Sequence, residues 1–165
     1  MTEKKYILDK EVAAKKMLRM AYEIVENNSE ESKVILAGVR EQGAVIAKHM
    51  QKILGGISSL KTELISILLD KRQPDDVQLS ETLDFDDQVI IVVDDVASSG
   101  KTMLYAMKPL LQYQPKKIQT LALVERTHKS FPVKTDYVGI SIATTLQEQI
   151  FVEVDNGEVT GAYMK

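Results

Sequence analysis

The chain contains no cysteine and no tryptophan, and its 165 residues include only two histidines. Without thiols there is neither a disulfide framework nor a thiolate-bound metal. No apolar run approaches the roughly 20 residues of a membrane span, and Met1-Thr2-Glu3-Lys4-Lys5 lacks the apolar core of a signal peptide. A cytoplasmic chain with no membrane partner is expected. Four prolines and eight glycines leave no low-complexity segment, and no internal repeat is visible. A net charge of −3 gives no broad electrostatic footprint for nucleic acid. The basic residues near the N-terminus, Lys4, Lys5, Lys10, Lys15, Lys16 and Arg19, read as a solvated helix face. What is present, 44% hydrophobic residues in 165, suits one core and one domain over 1–165.

Hydrophobic periodicity gives an alternating order of elements. Asp9 can cap a helix running to about residue 27, with Ala13, Met17, Met20, Ala21, Ile24 and Val25 at helical spacing. Residues 34–37 read as a buried strand, 38–42 as a loop and 43–54 as a helix with Val45, Ile46, Met50 and Ile53 inward. A strand over 64–69 precedes a charged excursion over 70–85 that contains Pro74. Strands over 89–93 and 118–124 flank a helix over 102–114. Shorter strands over 137–142, 150–154 and 158–163 follow, the last two around the hairpin signal Asp155-Asn156-Gly157. The predicted fold is α/β, a parallel sheet flanked by helices, with a small C-terminal hood or hairpin.

The most informative stretch is Val89-Ile90-Ile91-Val92-Val93-Asp94-Asp95-Val96-Ala97-Ser98-Ser99-Gly100-Lys101-Thr102. Five apolar β-formers read as a strand covered on both faces, and ligands bind at the carboxyl end of such strands. Asp94 and Asp95 stand there, a pair suited to vicinal ribose hydroxyls or a hydrated Mg²⁺. Ala97, Ser98, Ser99, Gly100, Lys101 and Thr102 then form a hydroxyl-rich turn into a helix, by composition a nest for a phosphate. Two other readings compete. Gly100-Lys101-Thr102 ends like a Walker loop, but the first glycine of that motif would fall on Asp95, whose charge repels phosphate. A polar turn with Ser98 or Ser99 as a plain helix cap is the structural alternative.

The stretch from Val92 to Thr102 resembles the phosphoribosyl-pyrophosphate signature of type I phosphoribosyltransferases. Leu123-Val124-Glu125-Arg126-Thr127-His128-Lys129-Ser130-Phe131-Pro132-Val133, the following Lys134 to Gly139, and Glu148-Gln149 are similar to the bifunctional pyrimidine-operon regulator and uracil phosphoribosyltransferase family. Tyr6-Ile7-Leu8-Asp9 and Val34 to Gly43 fit it too, whereas 55–85 fits worst. The resemblance implies a Mg²⁺-dependent transfer of a phosphoribosyl group from phosphoribosyl pyrophosphate to a nucleobase, by an assembly of two or more subunits. It assigns Asp94 and Asp95 to catalysis and metal, Ala97 to Thr102 to the 5′-phosphate, and Val39, Arg40, Glu41 and Gly43 to the pyrophosphate loop. Arg126 and Val133 fall in the base and hood region, and His128 is a candidate RNA contact in the regulatory alternative.

Three departures modify these expectations. Purine-using relatives have an aspartate where Ser98 stands, which turns the expected acceptor toward uracil or a related pyrimidine. Glu41 and Gln42 replace a threonine and an arginine of the regulator family, placing a carboxylate where pyrophosphate or RNA phosphates would lie. Leu68-Leu69-Asp70-Lys71-Arg72 does not reproduce the family's mobile-loop sequence.

Overall fold

The computed structural model describes residues 3–70 and 72–165, so Lys71 of the mobile-loop comparison lies outside the described residues. Strand β1 (Lys5–Asp9) leads into helix α1 (Lys10–Asn27), followed by β2 (Lys33–Val39), α2 (Arg40–Ile57), β3 (Lys61–Leu68), β4 (Gln78–Leu79) and β5 (Val89–Ala97). The chain continues through α3 (Lys101–Ala106), a 3₁₀ helix (Lys108–Gln112), β6 (Lys117–Arg126), β7 (Tyr137–Ile142), β8 (Ile150–Asp155) and β9 (Glu158–Met164). Asp9 caps α1 as expected, its Oδ1 accepting from the Val12 amide at 2.8 Å.

Six strands form the main sheet in the order β4-β3-β2-β5-β6-β7. The five from β3 to β7 are parallel, as predicted, but β4 runs antiparallel to β3 and makes the sheet mixed at its edge. The excursion after β3 turns back and pairs only Leu79 and Gln78 with Ile67 and Leu68, too short a strand to show an alternating pattern. Central β5 buries Ile91 and Val93 under α2, in a core that includes Ile46, Met50 and Leu54 of α2 and is extended by Met17, Met20 and Ile24 of α1. Its alternate residues, Ile90 and Val92, face Met103, Ala106, Leu110 and Phe85 on the other side. Cover on both faces is why this strand reads as an unbroken apolar run.

Several boundaries differ from expectation for identifiable reasons. The helix predicted over 102–114 is a six-residue α3 followed by a 3₁₀ turn. Pro109 lacks an amide hydrogen and disfavours α geometry at Lys108, so the α-helix stops before it. The loop expected over 38–42 is the end of β2 running directly into α2, and β5 extends through both aspartates to Ala97. Ser98 and Ser99 are not the helix cap, because Gly100, at φ 86°, holds that position. Ser99 Oγ instead accepts from the Lys101 amide at 3.2 Å.

The hood is a three-stranded sheet in the order β1-β9-β8. The expected hairpin closes at Asn156 and Gly157, whose positive φ of 49° and 76° suits the tight turn that matches strand twist. The N-terminal β1, absent from the expectation, pairs with β9 from Lys5–Met164 to Asp9–Gly161. Leu8, Val152, Val159 and Ala162 join the same core as α1 and α2, fastening the hood to the body. No helix among the described residues is long and apolar enough to cross a membrane.

Candidate active site

In-register pairing of Gly38 with Val93, Val39 with Ile67 and Ala97 with Glu125 aligns the carboxyl ends of β2, β3, β5 and β6 along one edge of the sheet. Two cavities open there. One of about 890 Å³ is lined by Val39, Arg40 and Glu41 at the β2–α2 junction and by Asp70 and Asp76 of the excursion. The other, of about 470 Å³, is lined by the turn after β5, by Arg126 and by hood residues including Leu146 and Phe151. Gln42, Asp94 and Asp95 border both.

Close packing of α2 on β5 sets the shared wall. A Cβ on Gly43 would stand 2.5 Å from the Val93 carbonyl oxygen, so only glycine lets the helix approach at this point. Gly43 therefore shapes the site from beneath, without lining either cavity. Arg40, the first residue of α2, has φ 58°, left-handed geometry that is uncommon for a side chain bearing a Cβ and concentrates at functional sites. Asp94 and Asp95 are 2% and 8% exposed. Asp94 Oδ1 accepts from the Asp95 amide and Asp95 Oδ1 from the Val96 amide, each at 2.8 Å.

The structure brings Val39, Arg40, Glu41, Asp94, Asp95, Ala97, Ser98, Ser99, Gly100, Thr102 and Arg126 to the two cavities. Lys101 is half-buried beside the second cavity without lining it. Val133 packs toward the α3 side of the sheet, and His128 is exposed at the tip of the turn after β6. Sequence reasoning passed over Leu146 and Phe151, both of which line the second cavity, and singled out Gln149, which lines it too, without giving it a role. Leu146 is fully exposed, and its signal was a lone large apolar residue in the polar run 143–149. That run is docked by Arg126, whose Nη2 donates to the Glu148 and Thr145 carbonyls at 2.6 and 3.2 Å. Glu148 closes it by accepting from the Thr145 amide at 2.8 Å, a bond that holds its carboxyl below the usual range.

The two cavities differ in charge. The first presents the carboxylates of Glu41, Asp70, Asp76, Asp94 and Asp95 against the single guanidinium of Arg40 among its described lining residues. The second offers hydroxyls of Ser98, Ser99 and Thr102 beside Arg126. Among the described residues no three acidic or histidine side chains converge into a metal cage. Mg²⁺ seldom asks for one, since it is held by one or two carboxylates together with waters and substrate oxygens, and the adjacent hard donors of Asp94 and Asp95 fit that habit.

A mostly parallel sheet flanked by helices, with clefts along the carboxyl ends of its strands, defines the α/β proteins that bind ligands at that edge. Residues 4–155 match the phosphoribosyl transferase domain family. The chain belongs to that family and is a phosphoribosyltransferase, an enzyme of the pentosyltransferase class. It is 32% identical over 156 residues to the Bifunctional protein PyrR of Streptococcus pneumoniae, with 91% of this chain and 90% of that protein covered. The hypoxanthine phosphoribosyltransferase of Trypanosoma cruzi superposes with a TM-score of 0.79 at 14% identity, covering 97% of this chain and 95% of that one. A hypoxanthine-guanine phosphoribosyltransferase of Bacillus anthracis gives 0.75 at 16% identity, with 95% of each covered. At such identities these two likenesses show the fold alone.

Proposed function

We propose that this enzyme transfers the phosphoribosyl group of phosphoribosyl pyrophosphate to uracil or a related pyrimidine, acting with Mg²⁺ as a single-domain cytoplasmic homo-oligomer. The observation that carries the reading is the placement of Asp94 and Asp95 on the wall between two cavities, one reaching the β2–α2 junction and the other the turn after β5. A sugar with an anionic group at each end needs that arrangement. The Ala97–Thr102 turn binds the 5′-phosphate, and because α3 is only six residues long, local amides and hydroxyls rather than a helix dipole do this work. The two aspartates hold the ribose hydroxyls and favour positive charge on the ring as it develops. The bond from C1 to pyrophosphate breaks, its electron pair leaving with pyrophosphate, and the bond from C1 to the base nitrogen forms as that nitrogen's proton passes to water or the departing pyrophosphate, both bond changes depending on orientation more than on covalent help from the protein. Bound Mg²⁺, held by Asp94 and Asp95 together with substrate oxygens, would offset charge on the pyrophosphate.

Support for a pyrimidine comes from Ser98, which offers a hydroxyl where purine-using relatives carry an acid. Arg126 lines the same cavity as Ser98 and supplies its cation. Calorimetric titration with phosphoribosyl pyrophosphate and Mg²⁺, repeated with each nucleobase while pyrophosphate is followed, tests the reading. Release with uracil alone is expected, and release only with a purine would overturn the acceptor assignment.

The alternative is a regulator of the same fold that senses the ligand while leader RNA is bound; the Glu41 carboxylate in the pyrophosphate-side cavity repels RNA phosphates as it repels pyrophosphate, and so counts against this reading as well. It requires RNA affinity that falls steeply with salt, and His128 is its candidate contact. Glu41→Gln is expected to raise affinity for phosphoribosyl pyrophosphate about fivefold to thirtyfold, since a carboxylate facing an anion across a partly aqueous cavity costs about 1–2 kcal/mol. Unchanged or weaker binding would remove Glu41 from the electrostatics of the cleft. For assembly, sedimentation at micromolar concentration is expected to show at least a dimer, and a strictly monomeric profile would refute it.

A further inference from the structure

The segment after β6 touches the phosphate-binding turn from the side away from the cavity. Both the Ser130 and Phe131 amides donate to the Ser99 carbonyl, each at 3.0 Å. In a planar trans peptide the C=O and N–H point in opposite directions, so a Ser99 carbonyl held by this segment aims the Gly100 N–H the other way, toward the cavity that Ser99 and Gly100 line. The contact is close: a Cβ on Gly100 would lie 3.3 Å from the Phe131 carbonyl oxygen and 3.6 Å from Lys129 Cδ. The Lys129 stem thus packs on the turn while its ammonium pairs with Glu125 at the end of β6. Glu125 also accepts from Ser141 Oγ at 2.9 Å, and the Lys129 and Glu125 side chains are only 14% and 16% exposed. Burial works against the charge on Glu125, yet the bonds from Lys129 and Ser141 outweigh it and hold its pKa below the usual 4.5.

We infer that Lys129 and Glu125 are positioning residues for the 5′-phosphate: their ion pair clamps the 129–131 segment onto Gly100, and the segment sets the orientation of the amide that receives the phosphate. Neither side chain lines the cavities, so the effect is geometric. The inference rests on the reading of the Ala97–Thr102 turn as the phosphate site.

Titration with ribose 5-phosphate, which needs that turn and no pyrophosphate loop, separates this from other roles. Lys129→Met and Glu125→Gln are both expected to weaken binding about tenfold to a hundredfold, and Lys129→Arg to restore most of it. Glu125→Gln decides between position and charge: if Lys129 acted by direct attraction for phosphate, freeing its ammonium would tighten binding, and that result would overturn the inference. Unchanged affinity in Lys129→Met would overturn it as well. Should that variant not fold, Ser141→Ala loosens Glu125 without altering either charge and is expected to weaken binding by a smaller factor; no change there counts against the clamp. Wild-type protein that ignores ribose 5-phosphate but binds pyrophosphate would instead displace the phosphate site itself, an outcome separate from any variant.

Discussion

Replacing both Asp94 and Asp95 by asparagine is expected to weaken phosphoribosyl pyrophosphate binding by about 10²–10⁴-fold. Hydrogen bonds to a charged group contribute about 1.5–3 kcal/mol each, and two such groups are lost together, with every 1.4 kcal/mol counting tenfold. Asparagine keeps the size and one acceptor oxygen of aspartate, so the bonds to the Asp95 and Val96 amides can persist. The fold should therefore survive, and a thermal transition within a few degrees of wild type is the accompanying expectation. Calorimetry on the double variant checks both halves. Retained affinity would mean that the sugar lies elsewhere than on the wall shared by the two cavities.

The second large effect is on stability. Gly43→Ala adds one methyl group to a helix, which by propensity alone favours folding by about 1 kcal/mol. Here the methyl carbon would meet a backbone oxygen, Val93 O, at 2.5 Å, with the Asp94 Cα at 3.4 Å. Strand backbone cannot swing away as a flexible side chain could, and overpacking of this kind costs about 1–3 kcal/mol or more. Overpacking wins because relief requires α2 to move off the central strand. Less the propensity gain, the net cost reaches about 2 kcal/mol, and at about 2–4 °C per kcal/mol for a chain of this size the melting midpoint should fall by several degrees, up to about 8 °C. Ligand affinity should fall as well, since the displaced wall carries Asp94. An unchanged or higher midpoint would show that α2 can move away from β5 without cost.

Legibility in the sequence followed how local each cause is. The aspartate pair, the hydroxyl-rich turn and the alternating order of elements were readable because each is written in a few consecutive residues or in a hydrophobic period. The capped start of α1 and the Asn156-Gly157 turn were readable for the same reason. The length of α3 was misjudged although Pro109 was visible, because the apolar residues beyond it, Leu110 and Tyr113, continue to pack inward on a 3₁₀ turn. Leu146 and Phe151 could not be placed at the site, since they reach it only when the hood folds back over the strand ends.

By itself the sequence determined the α/β class, the strand that ends between the two cavities, and the residue types of the candidate site, because periodicity and turn chemistry act within a few residues of the chain. Only the tertiary structure decided that β1 joins the hood, that Gly43 presses α2 against β5, and that the segment after β6 holds the Ser99 carbonyl. Those are contacts between residues tens of positions apart, and their partners are selected by packing and hydrogen bonding across the folded chain rather than by local propensity.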